Sequence, residues 1–109
     1  YGFDKESALL VKYAGEETGY DFFINMENIH LLTEIKGRSD TDPKFLELQY
    51  KYGMVLIGLA LLNEFEYNED RIDEEKDVYE EISIITRAMS PFLLPMISSL
   101  GELDNIEEV

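Results

Sequence analysis

Cysteine is absent from this chain, and that one absence removes disulfide staples, thiolate zinc sites and a cysteine nucleophile together. It fits a cytoplasmic setting, although it fixes no compartment by itself. Histidine occurs once, as His30, so pairings of a nucleophile with an imidazole base have almost no material to work with. There is no Gly-x-Ser-x-Gly elbow and no phosphate-binding glycine loop. Carboxylates can act in pairs as acid and base, but acids are so frequent here that any two would match by chance. The sequence presents no catalytic centre and calls for no cofactor.

Cations are also scarce. Nine Lys and Arg stand against 24 Asp and Glu, giving a net charge of −15. A field of that sign repels phosphate backbones and anionic lipid surfaces, so neither direct nucleic-acid binding nor a membrane is expected. The longest purely apolar run, Met54 to Leu62, is far short of the ~20 residues a bilayer demands and reads as core. No signal peptide, internal repeat or low-complexity segment is visible. What remains is 45% hydrophobic and 30% charged, an ordinary globular mix with room for one domain and one core over residues 1–109. The chain begins Tyr1-Gly2-Phe3 without an initiator Met, as a processed product or a piece of a longer polypeptide would.

Two apolar and aromatic stretches, Leu9 to Ala14 and Tyr20 to Ile24, flank Gly15-Glu16-Glu17-Thr18-Gly19. Their β-branched and aromatic content and the Gly-bounded loop predict a β-hairpin. Asn25 then caps a short helix over Glu27 to Lys36, with Gly37 as the stop. Asp42-Pro43 opens a longer helix to about Phe65, because Asp accepts an orphan amide and Pro at the first helical position loses nothing it needs.

The first half of that helix carries a stripe of Phe45, Leu48 and Tyr52. From Met54 onward it is apolar all round and has to be surrounded, in part by a second copy. Gly53 and Gly58 imply close approach of a neighbouring backbone. A further helix is expected from about Asp73 to Met89, buried along Val78, Ile82, Ile85 and Met89, with acids at its start and Arg87 near its end to suit the helix dipole. Ser90-Pro91 opens a last segment over Phe92 to Leu100, kinked at Pro95 or helical only after it. An acidic tail over 102–109 is expected to fray. The predicted fold is mainly α (α+β): an N-terminal β-hairpin on three or four helices, one of them central and apolar.

One spacing carries metal chemistry. Glu27-x-x-His30 on a helix would place a carboxylate and an imidazole on one face, as in di-iron carboxylate bundles. The site would need a second such pair, which only a symmetric dimer could supply, so no metal is expected. The acids Glu64, Glu66, Glu69, Asp70, Asp73, Glu74, Glu75 and Asp77 lack the alternating ligands and central Gly of a calcium loop and read as a solvated helix start. Phe92-Leu93-Leu94-Pro95-Met96-Ile97 is denser in large side chains than a short terminal helix needs, whether as core cover or as an interface.

Three patterns carry a family likeness: a strand ending Phe23-Ile24-Asn25, a long helix with Tyr52-Gly53-Met54-Val55-Leu56-Ile57-Gly58-Leu59-Ala60, and Ile85-Thr86-Arg87-Ala88-Met89-Ser90-Pro91 followed by Leu94-Pro95-Met96-Ile97. From about Tyr20 to Leu100 the chain resembles the region that follows the nucleotide-binding domain in some prokaryotic ATPases of the gyrase B and histidine-kinase (GHKL) type. It departs from them in that His30 lies later than the His-Pro expected just after the Asn, with no Pro behind it. The family's ATP-binding Asn and Gly motifs are absent. The resemblance implies an accessory segment beside an ATPase and carries over no ATP-site residue.

Taken together, the expectation is a non-catalytic interaction or assembly domain whose partner is itself or another protein. Contact would run through helix 43 to 65 and the segment 91 to 100, with Leu56, Leu59, Phe92, Leu93 and Met96 at the interface. The alternative is a DNA mimic whose carboxylates occupy a nucleic-acid-binding protein. The two differ in salt response, since electrostatic capture weakens with added salt and apolar assembly does not.

Overall fold

The Gly-bounded spacer between the two aromatic stretches does close a hairpin. In the computed structural model, which describes residues 2–67 and 77–102, β1 (Leu9–Gly15) pairs antiparallel with β2 (Gly19–Ile24). The register runs from Leu9 opposite Ile24 to Tyr13 opposite Tyr20, and an irregularity after Tyr13 brings Gly15 opposite Gly19. Both glycines have positive φ, the left-handed backbone that a side chain disfavours. Four helices follow: α1 (Ile29–Gly37), α2 (Pro43–Tyr67), α3 (Val78–Met89) and α4 (Leu93–Glu102). The fold is a mainly helical α+β arrangement.

Capping decides where these helices begin, and three of the four starts differ from expectation. Asn28, not Asn25, caps α1: its side-chain oxygen accepts from the amides of His30 at 2.9 Å and Leu31 at 3.2 Å. Asn25 is committed elsewhere. Its side-chain amide donates to the carbonyls of Asp4 and Ser7, while that of Asn28 donates to those of Glu6 and Ser7. Two buried asparagines thus hold segment 4–7 against the start of α1, each with its polar atoms satisfied. Asp42 opens α2 as predicted, accepting from the amide of Lys44 at 3.0 Å.

Asp77 caps α3 through the amide of Tyr79, so that helix starts later than Asp73. The expected first-turn acids Asp73, Glu74 and Glu75 lie outside the described residues, as does most of the expected tail, 103–109. Ser90 does not open the last helix. It closes α3 with helical backbone, and its hydroxyl donates to the Arg87 carbonyl at 2.8 Å. Helix α4 is already helical at Leu93 and Leu94, with Pro95 in its first turn. The amide that Pro lacks would have no intrahelical acceptor there, so the proline costs little.

Every other element contacts α2. One core cluster joins its Leu46, Tyr50 and Met54 to Ala8, Leu31, Leu93 and Leu94. A second joins its Leu62 to Leu9, Val11 and Ile82. The core face of the first half is therefore Leu46-Tyr50-Met54, and the expected stripe of Phe45, Leu48 and Tyr52 faces outward. On α3 the buried positions are Ile82 and Thr86, whereas Met89, expected inside, is exposed. Thr86 is tolerated there because its hydroxyl donates to the Ile82 carbonyl.

Gly53 and Gly58 are sites of close approach, but by side chains rather than backbone. A Cβ on Gly58 would lie 2.7 Å from Leu9 and 3.0 Å from Phe22; one on Gly53 would lie 2.8 Å from Leu93. Leu9 is fully buried and cannot withdraw. Leu93 borders an open groove and can. Gly58→Ala should therefore destabilise by about 1 kcal/mol net, overpacking outweighing the gain in helix propensity. Gly53→Ala should be close to neutral, and denaturant melts of the two variants compare them directly.

The Tyr50 hydroxyl is buried with no hydrogen-bond partner among the described residues, and burial pushes its ionisation well above the ordinary tyrosine value. Tyr50→Phe removes an uncompensated polar atom and should raise stability by roughly 1 kcal/mol. In an alkaline ultraviolet titration of the wild type, one tyrosine should stay protonated until the fold is lost.

Arg87 ties the last turn of α3 to the N-terminal segment, donating to Asp4 at 2.8 Å and Glu6 at 2.6 Å. The guanidinium, with amides of the adjoining turn, holds the Asp4 carboxyl down to about 2 from 3.8. A depressed carboxyl contributes stability above its unfolded pKa, and that contribution fades as pH falls from 3.8 toward about 2. Arg87→Gln should move the Asp4 midpoint back up toward 3.8, read from its side-chain carboxyl carbon by NMR.

Candidate interaction surface

The outer face of α2 is set by what its inner face does. With Leu46, Tyr50, Met54 and Leu62 turned to the core, the residues on the opposite side are Phe45, Leu48, Tyr52, Leu56 and Leu59. These five large side chains are between 48 and 68% exposed. At 3.6 residues per turn they fall within an arc of roughly 80°, a continuous apolar stripe about 20 Å long.

Beside it lies a groove of about 730 Å³ between α2, α3 and α4. Its α2 wall is Gly53, Leu56 and Ile57; α3 gives Ile84, Ile85, Ala88 and Met89; the rest is Phe92, Leu93, Met96 and Ile97. None of these carries a polar side chain. Groove and stripe share Leu56, so the two form one surface. On the other flank, Leu48 also lines a hollow of about 540 Å³ with Phe22, Ile24, Met26, Lys44, Glu47 and Lys51.

An exposed apolar surface of this extent is unusual for a lone domain. Of the residues singled out from the sequence, Leu56, Leu59, Phe92 and Met96 are exposed on it. Leu93 is not: it is buried in the core cluster and fills the notch left by Gly53. Sequence reasoning missed the contributions of Phe45, Leu48 and Tyr52, which it assigned to an amphipathic stripe of the first half, and of Ile84 on α3. The available signal was that α2 carries two apolar stripes where one core needs only one.

Glu27 and His30 do not share a helical face. Glu27 precedes the Asn28 cap, so the spacing that puts i and i+3 together does not begin until after it. Glu27 borders a depression with Phe3, Asp4 and Lys5, while His30 borders another with Glu6, Ile84 and Arg87. Among the described residues no three of His, Asp and Glu cluster closely enough to hold a metal ion. Of the acidic stretch, Asp77 acts as a cap, and 68–76 lies outside the described residues.

By length and hydropathy α2 could cross a bilayer over Pro43–Phe65, although its longest uninterrupted apolar run is much shorter. Its inner face contacts both strands and all the other helices.

No family model, curated protein or solved structure matches the chain, so the likeness to the accessory region of GHKL ATPases rests on the sequence patterns alone.

Proposed function

We propose that this chain is a non-catalytic assembly domain that self-associates by burying the outer face of α2 together with the groove rim at Phe92 and Met96. The observation that carries this reading is one continuous apolar surface: the α2 stripe joined through Leu56 to a groove with no polar side chain in its lining. The composition supports it from the other side, since a chain with one His and no Cys has little with which to build a reactive centre. If the resemblance to GHKL ATPases is followed, the domain serves as an accessory segment of a larger ATPase-like protein and holds its copies together.

The test is the solution mass of the purified chain across a concentration series at low and high salt. Copies carrying −15 each repel at long range, and salt screens that repulsion while leaving apolar burial intact. Association should therefore tighten as salt is added. Leu56→Asp places a charge where stripe and groove meet and should weaken association by about 30-fold or more, the effect of losing a ~2 kcal/mol hot spot. Its circular dichroism should be unchanged, because Leu56 is 68% exposed. A monomer at every concentration in both salts would overturn the reading.

A further inference from the structure

We propose that the partner of the α2 stripe is the α2 stripe of a second copy, running antiparallel and centred on Tyr52. This rests on the reading that the chain self-associates, and goes beyond it by fixing the orientation and register of the contact.

The spacing along the stripe carries the inference. Phe45, Leu48, Tyr52, Leu56 and Leu59 are separated by three, four, four and three residues, a sequence of intervals that reads the same in both directions. A two-fold axis through Tyr52 and perpendicular to the helix maps the stripe onto itself. Tyr52 meets its own copy, Leu48 faces Leu56 of the partner subunit, and Phe45 faces Leu59 of the partner subunit. A closed two-fold contact demands that kind of self-complementarity, and spacings of three and four are those by which helices interlock lengthwise.

Charge selects antiparallel over parallel. The only cations of α2, Lys44 and Lys51, lie in its N-terminal half, where they offset Asp42 and Glu47; Glu64 and Glu66 lie at its C-terminal end, and the sequence from Glu69 to Asp77 adds six acids against Arg71 and Lys76. Side-by-side parallel helices would bring the two acidic ends together. The antiparallel pair separates them by most of a helix length, with the helix dipoles also opposed favourably.

The area is of the right order. A large apolar side chain presents on the order of 200 Å², so five of them, each roughly half to two-thirds exposed, offer about 600 Å² per copy. Continuity through Leu56 onto Phe92 brings this near the ~800 Å² per partner of a standard stable interface. A lipid surface fits less well: interfacial helices flank their apolar face with many cations, whereas this chain carries −15.

The absence of native cysteine makes the experiment direct. Chains of residues 1–109 bearing Tyr52→Cys, Phe45→Cys or Leu59→Cys are oxidised singly and in pairs. Each site is exposed, so folding is preserved, and circular dichroism verifies it. Helices packed at 8–10 Å bring the two Cα atoms at position 52 to roughly 5 Å, within disulfide reach. Phe45→Cys and its own copy lie about 20 Å apart along the axis.

The expected result is a cross-linked dimer from Tyr52→Cys alone and from Phe45→Cys mixed with Leu59→Cys. Each should form at least about tenfold faster than cross-links from Phe45→Cys or Leu59→Cys alone. Self-cross-linking at positions 45 and 59 would show parallel helices and overturn the proposal. A dimer by mass that cross-links at none of these sites would overturn it while leaving self-association standing. A monomer by mass would sink both, as would a monomer that co-sediments with phosphatidylcholine vesicles, which would assign the stripe to lipid.

Discussion

Five short elements lean on one long helix, and the geometry of that arrangement governs the rest of the molecule. Helix α2 has 25 residues, a length of roughly 37 Å, while the strands and the other helices have between six and twelve. All of them contact it. Because the hairpin, α1, α3 and α4 share one side, neighbours crowd the helix enough that Leu93 and the pair Leu9 and Phe22 occupy the space where Cβ atoms would sit at positions 53 and 58. The same crowding leaves the opposite side bare among the described residues.

The fold and the proposed association consequently draw on different faces of the same helix. Burial of Leu46, Tyr50, Met54 and Leu62 contributes on the order of 2 kcal/mol per side chain to the fold. The outer residues contribute less to a lone chain, since half to two-thirds of their surface stays wet after folding. A truncation on the inner face removes the platform on which the outer stripe is displayed. One on the outer face leaves the platform standing. The groove is intermediate: Leu93 and Ile97 pack into the core cluster while also lining it, so its shape depends on the inner packing more than the stripe does.

Much of this was legible in the sequence, and the exceptions share a cause. The hairpin, the Asp42-Pro43 start and the central apolar helix follow from local chemistry that needs no tertiary partner. The misread positions are those at which two local solutions compete. Asn25 and Asn28 both donate to segment 4–7, so that segment does not choose between them; the Asn25 oxygen accepts from the amide of Glu27, and only that of Asn28 accepts from the first amides of α1. Ser90 looks like an N-cap until Arg87 offers its carbonyl three residues back. Pro95 reads as a break unless the helix starts late enough to place it in the first turn. On α2, two apolar stripes have equal periodicity, and only the placement of the other elements reveals which one is core. The metal-type spacing Glu27-x-x-His30 dissolved for the same reason, since moving the cap by three residues takes Glu27 off the helix.

The pairing of a large apolar surface with a charge of −15 is less contradictory than it first looks. Repulsion between like-charged copies acts over roughly a Debye length and opposes every encounter, whatever the orientation. Apolar contact acts only where surfaces meet and grows with the area they bury. Small, chance contacts between exposed residues therefore fail to offset the repulsion, and an extended complementary contact can. A chain that displayed the same stripe without the acids would be free to adhere in many registers. The acids raise the threshold for all of them, and the contact that survives is the one that buries the most apolar surface for the least approach of like charge. In the proposed pairing that condition is met along the length of α2, with its acidic end directed away from that of its neighbour.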